Sequence, residues 1–121
     1  MDLINQMQYL LKQLDTQISQ LKKTGEDYAR AYTDYRMALA KELVKLKDEG
    51  YAITLAGDIS RGRPEIARLK FKEISTEAIY KANQESINAL KLEIKILQEQ
   101  INKEWSREWT YKQINQKWYI K

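Results

Sequence analysis

The chain has 121 residues, of which 43% are apolar and 31% charged, with one proline, four glycines and a net charge of +4. That length suits one domain, and the mixture is too apolar and too periodic for disorder, matching instead the Ala/Glu/Lys/Leu/Arg-rich profile of long helices. Cysteine and histidine are absent, which removes disulfides, the usual zinc ligands and any Ser-His or Cys-His nucleophile.

Residues 3–49 carry apolar side chains at alternating spacings of three and four. The stripe reads Ile4, Met7, Leu11, Leu14, Ile18, Leu21, Gly25, Tyr28, Tyr32, Tyr35, Leu39, Glu42 and Leu46. This spacing keeps them on one side of a helix and predicts a coiled-coil-like element. Gly25 interrupts it, and Thr24 followed by Asp27 resembles a capping box, so a break near Gly25 is the competing reading. The phase survives Gly25, which favours one continuous or bent helix. Gly50 closes the helix, since glycine tolerates the left-handed backbone just past a helix end.

Residues 50–63 read as a long loop. "YAITLA" is locally β-prone but too short for a sheet of its own, and an extended strap is expected. Pro64 then starts a second helix over 64–105, because proline is favoured at the first helical position. Glu65 suits the positive end of its dipole. This helix carries two stripes. One is Ile66, Leu69, Tyr80, Ile87, Leu90, Ile94, Leu97 and Ile101; the other is Ala67, Phe71, Ile74, Ala78, Ala82, Ala89, Leu92 and Ile96. Two apolar stripes need two packing partners, and an intrachain hairpin supplies one. The expected architecture is therefore all-α: a long antiparallel helical hairpin assembled with further copies into an oligomeric bundle. A turn centred near residue 56 sets Tyr28, Tyr32 and Tyr35 near Tyr80, Ala82 and Ala78, and Trp105 and Trp109 near Met7 and Leu3. Residues 106–121 form a basic aromatic tail.

The charge surplus is local. Residues 1–50 and 64–105 each carry equal numbers of basic and acidic side chains, so the excess lies in the central segment and the tail. An anion is therefore expected there and not along the helices. Three groups are candidates. Ser60, Arg61 and Arg63 precede a helix start, where backbone N–H groups and guanidinium forks bind phosphate; a plain turn explains the same glycines and proline. Tyr28, Tyr32 and Tyr35 are candidate ligand-stacking side chains, or simply seam residues. Trp105, Trp109, Tyr111 and Trp118, interleaved with Arg107, Lys112, Lys117 and Lys121, suit a protein partner, single-stranded nucleic acid or a membrane interface, or packing at the bundle end. No catalytic constellation, metal site or cofactor motif is present, and the expectation is a protein that is not an enzyme. The N-terminal "MDLINQMQYL" lacks signal-peptide character, and no apolar run approaches the roughly 20 residues of a membrane span.

The stretch "DYRMALAKELVKLKDEGYAITLAGDISRGRPEIARLKFKEI", with "INALKLEIKILQEQINKEW" after it, resembles a family of small coiled-coil proteins encoded by phages and prophages of Gram-positive bacteria. The resemblance spans residues 34–105, and the extension from Ser106 departs from it. It implies a phage accessory protein in the cytoplasm of the infected host. By analogy, such a protein would inhibit a host defence by sequestering a nucleotide signal or blocking a host protein. The alternatives are a nucleic-acid-binding accessory of phage replication or recombination, or a scaffolding component whose function is oligomerisation.

Overall fold

A computed structural model describes the backbone of residues 2–119 and the side chains of residues 2–114. Three helices follow in order: α1 (Leu3–Asp48), α2 (Ile53–Gly62) and α3 (Pro64–Tyr119). Among the described residues there is no strand. Packing divides the chain into two compact units, Met1–Ile18 with Glu85–Lys121, and Ser19–Gln84.

The helix boundaries have local causes. Asp2 caps α1, its carboxylate accepting the Asn5 N–H at 2.7 Å, which is worth about 1 kcal/mol. At the other end Gly50 has φ +97°. The Gly50 N–H donates to the Lys47 carbonyl and the Tyr51 N–H to the Leu46 carbonyl. This is a Schellman closure, and it needs the left-handed residue that glycine provides.

The expected loop over 50–63 is mostly helix. The true turn is residues 49–52, and α2 occupies the rest. No Ser, Thr, Asn or Asp marks its start, since Ala52 is the capping residue and makes no side-chain cap. The β-branched residues of "YAITLA" pointed the other way, and tertiary burial of Ala56, Gly57 and Ser60 overrides that weak preference. Pro64 separates α2 from α3 because it forces the preceding residue out of helical geometry. Arg63 accordingly sits at φ −65°, ψ 132°. Its N–H donates to the Ser60 carbonyl and its own carbonyl accepts the Ala67 N–H, so a single residue joins the two helices. The second helix also runs past the expected end at residue 105, continuing to Tyr119.

In the unit Ser19–Gln84, α1 runs unbroken through Gly25. Thr24 is no cap; its hydroxyl lies 2.8 Å from Asn83 Oδ1 as donor and 3.2 Å from the Leu21 carbonyl. Gly25 has a packing role: a Cβ there would stand 3.2 Å from Tyr80 Cε1. The missing side chain lets the Tyr80 ring lie against the α1 backbone. Tyr35, Leu39 and Ile66 form the core of this unit, flanked by Ala38, Leu43 and Leu69. An apolar crevice of about 210 Å³ between Leu43, Val44 and Lys47 of α1 and Ile53 and Ala56 of α2 shows that α2 lies on the last turns of α1. Because the turn is shorter than expected, the register slips. Tyr28 does meet Tyr80, but Tyr35 meets Lys70 and Ile66 and not Ala78.

The first α3 stripe is the inner one: Ile66, Ile87 and Leu97 are buried and Leu69, Tyr80, Leu90, Ile94 and Ile101 half-buried. Between Leu69 and Ile87 polar side chains complete it, with Glu73 and Asn83 buried. Every member of the second stripe, from Ala67 to Ile96, is exposed. In the unit Met1–Ile18 with Glu85–Lys121, the half-buried α1 positions are Leu3, Met7, Leu10 and Leu14 with Gln6, Gln13 and Gln17, while Ile4, Leu11 and Ile18 are exposed. From Asn102 to Ile114 every side chain is exposed. Trp105 retains 71% exposure, so the expected packing of Trp105 and Trp109 on Leu3 and Met7 is absent.

Candidate functional site at the junction of α2 and α3

The Arg63 joint sets the two arginines on different flanks. Arg63 Nε donates to Glu42 Oε1 at 3.1 Å. That flank is lined by Asp34, Lys41, Glu42, Lys45 and Glu65, with Ile66 at its base. The guanidinium there is already answered by a carboxylate, and two more acids stand nearby.

Arg61 lies on the other flank. Its only ion pair among the described residues is a loose one with Asp58, 3.7 Å apart with both side chains exposed. Such a pair contributes little and exchanges readily. The guanidinium lies over Gly57, where a Cβ would stand 3.3 Å from Arg61 Nη1 and require a small shift of that exposed side chain. A groove of about 340 Å³ lies beside it, lined by Tyr35, Arg61, Ile66, Ala67 and Lys70. The Lys70 ammonium sits 4.8 Å from the centroid of the Tyr35 ring and donates to Glu73 at 3.0 Å. That hydrogen bond is the main reason the Lys70 pKa is raised, against the opposing effect of burial. Lys70 is thus held cationic with two of its three donors spare. The groove therefore offers a guanidinium fork and an ammonium on either side of an apolar floor, which is the donor set for a phosphate or carboxylate on an apolar body.

The other sequence candidates fall elsewhere. Ser60 is fully buried and its hydroxyl has no partner, so it is not available as a ligand. Replacing it tests that directly. Ser60→Ala is expected to leave α2 intact and raise stability by about 1 kcal/mol, because a buried unpaired hydroxyl carries a desolvation cost. A lower urea midpoint would show that the hydroxyl is satisfied after all. Tyr28 and Tyr32 stack edge to face, and Tyr28 lies against Tyr80. Burial pushes the Tyr28 phenol above its ordinary value, and the Glu77 and Glu73 carboxylates add to it. The Glu77 carboxyl is held low by its hydrogen bond and ion pair with Lys81. An acid-lined phenol is a poor host for an anion, so of the three tyrosines only Tyr35 joins the Arg61 groove.

Lys70 was not singled out from the sequence. It is one lysine among many, and nothing local distinguishes it; only the register of α3 against α1 sets it over Tyr35. Trp105 and Trp109 are exposed in one furrow of α3 with Glu108 and Lys112, and Tyr111 is exposed in a second with Glu104, Arg107, Glu108 and Lys112. Their furrows have walls from this one helix alone. The side chain of Trp118 lies outside the described residues. Among the described residues no group of acidic, His or Cys side chains could hold a metal, and no helix is long and apolar enough to cross a membrane. No protein-family model, curated protein or solved structure matches the chain.

Proposed function

We propose that this chain is a non-enzymatic binding protein that works as a coiled-coil-like assembly of copies and holds a phosphate-bearing ligand, of the nucleotide-signal class, in the groove between Arg61 and Lys70. The observation that carries this reading is the placement of Arg61 and Lys70 around Tyr35 and Ile66 in one groove. On this reading the chain acts by occupancy, sequestering the ligand that its groove holds. Together with the resemblance to phage-borne coiled-coil proteins, this supports a host-defence inhibitor acting in the cytoplasm of an infected bacterium.

The test is calorimetric titration with mononucleotides, cyclic dinucleotides and inorganic phosphate. Arg61→Ala is expected to weaken binding at least tenfold, the scale of a lost charge-assisted hydrogen bond. Arg63→Ala should leave it unchanged, because Glu42 occupies that guanidinium. No heat with any ligand, or equal losses for the two variants, would refute the groove. A second reading rests on the exposure of Trp105, Trp109 and Tyr111: this segment of α3 would block a host protein or bind single-stranded nucleic acid. Binding to single-stranded DNA that falls steeply with salt and is lost on truncation after Trp105 would favour the nucleic-acid version.

A further inference from the structure

In the unit Ser19–Gln84 one apolar face is left exposed, and it fits a copy of itself.

That face lies on α3. The inner side of α3 in this unit carries Ile66, Leu69, Glu73, Tyr80 and Asn83, all buried or half-buried. At roughly 100° per residue, Ala67, Phe71, Ile74, Ala78 and Ala82 fall on the opposite side. All five are exposed, Phe71 at 72% and Ile74 at 55%. They extend for roughly 22 Å along the helix. No charged side chain interrupts them; Lys70, Glu77 and Lys81 flank one edge and Arg68 and Lys72 the other, with Glu77 and Lys81 already paired to each other.

The order of sizes along this face is what names the occupant. The bulky pair, Phe71 and Ile74, lies at one end and the small pair, Ala78 and Ala82, at the other. Turned end for end, the same face sets Phe71 of one copy opposite Ala82 of the second and Ile74 opposite Ala78. Large side chains then fill the space over small ones, as close packing requires. A parallel arrangement would crowd Phe71 on itself and leave a void between alanines. We propose that Phe71, Ile74, Ala78 and Ala82 form a two-fold, antiparallel interface with a second copy of this chain. This rests on the reading that the chain acts as an assembly, and names the surface that makes it.

The experiment is solution mass by light scattering and by analytical ultracentrifugation on the full chain, with helix content followed by circular dichroism. The wild type is expected at a multiple of the 14.4 kDa chain mass. Phe71→Glu and Ala78→Glu are expected to weaken self-association by on the order of 100-fold, because a two-fold axis brings each charge to the interface twice. Helix content should be unchanged, since neither position faces the core. The absence of cysteine allows a clean second arm: Phe71→Cys mixed with Ala82→Cys should cross-link, and Phe71→Cys alone should not. A wild type that is monomeric at every concentration overturns the assembly reading and this interface with it. An oligomer indifferent to both glutamate variants overturns the interface alone. Cross-linking of Phe71→Cys to itself overturns the antiparallel pairing.

Discussion

Replacing Leu46 with alanine is expected to lower stability by about 3 kcal/mol, the middle of the range for a buried leucine. Leu46 is 1% exposed and, with Ser60, is among the largest fully enclosed side chains of the described residues. It sits in the last turn of α1, where α2 folds back, and its carbonyl also accepts the Tyr51 N–H that closes the helix. Truncation would leave a cavity where α2 folds back on the end of α1. For a chain of this length the melting temperature should fall by on the order of 10 °C. Val44, two positions earlier and equally apolar, is 61% exposed. Val44→Ala should stay within about 1 kcal/mol of wild type. Urea denaturation of the two variants decides the matter. Equal losses would mean that α2 is not docked on α1 in solution.

The Lys70→Ala variant is expected to cost about 2 kcal/mol, less than a fully buried pair because Lys70 is itself half-exposed. Its partner Glu73 is buried on the inner face of α3. Removing the ammonium leaves that carboxylate enclosed without its cation, and a stranded charge costs more than the intact pair contributes. A second substitution, Glu73→Met, should therefore restore most of the loss, and the double-mutant cycle measures the coupling. If the double variant is no more stable than Lys70→Ala, the pair is a surface contact without consequence. The pH dependence has a definite sign. The Lys70 pKa is raised above 10.5, chiefly by its hydrogen bond to Glu73. Its contribution is then complete below 10.5 and is lost as pH rises through the folded-state value. Wild type should lose more stability than Lys70→Ala across the alkaline range. Because Lys70 also lines the proposed ligand groove, Arg61 is the cleaner variant for testing binding.

Periodicity and end signals made most of the helical architecture legible. The two stripes of α3 separate cleanly into an inner side and an exposed one, as spacing alone predicts. Gly50 and Pro64 stop and start helices through backbone geometry that acts within a few residues, and so can be read locally. The α2 helix was not legible. It is only 10 residues long, lacks a capping side chain and contains Gly57, so its intrinsic preference is too weak to show. Burial of one face against α1 is what stabilises it, and burial is a property of the assembled chain.

The candidate site divides in the same way. That Arg61 and Arg63 carry a local charge surplus was evident from composition. That they part to opposite flanks was decided by Arg63 standing alone in extended geometry between two helices. Glu42 then meets one guanidinium, while the other lies over Gly57. Tyr35 was separated from Tyr28 and Tyr32, and joined to Lys70, by the register of α3 on α1. Register depends on where the turn falls, and the turn was shortened by a helix that no local signal announced. The sequence by itself therefore determined which residues could be helical and which faces were apolar, because those follow from spacing along one chain. Only the tertiary structure decided that Arg63 meets Glu42 and that Lys70 lies over the Tyr35 ring, because those pairings join residues far apart in the chain.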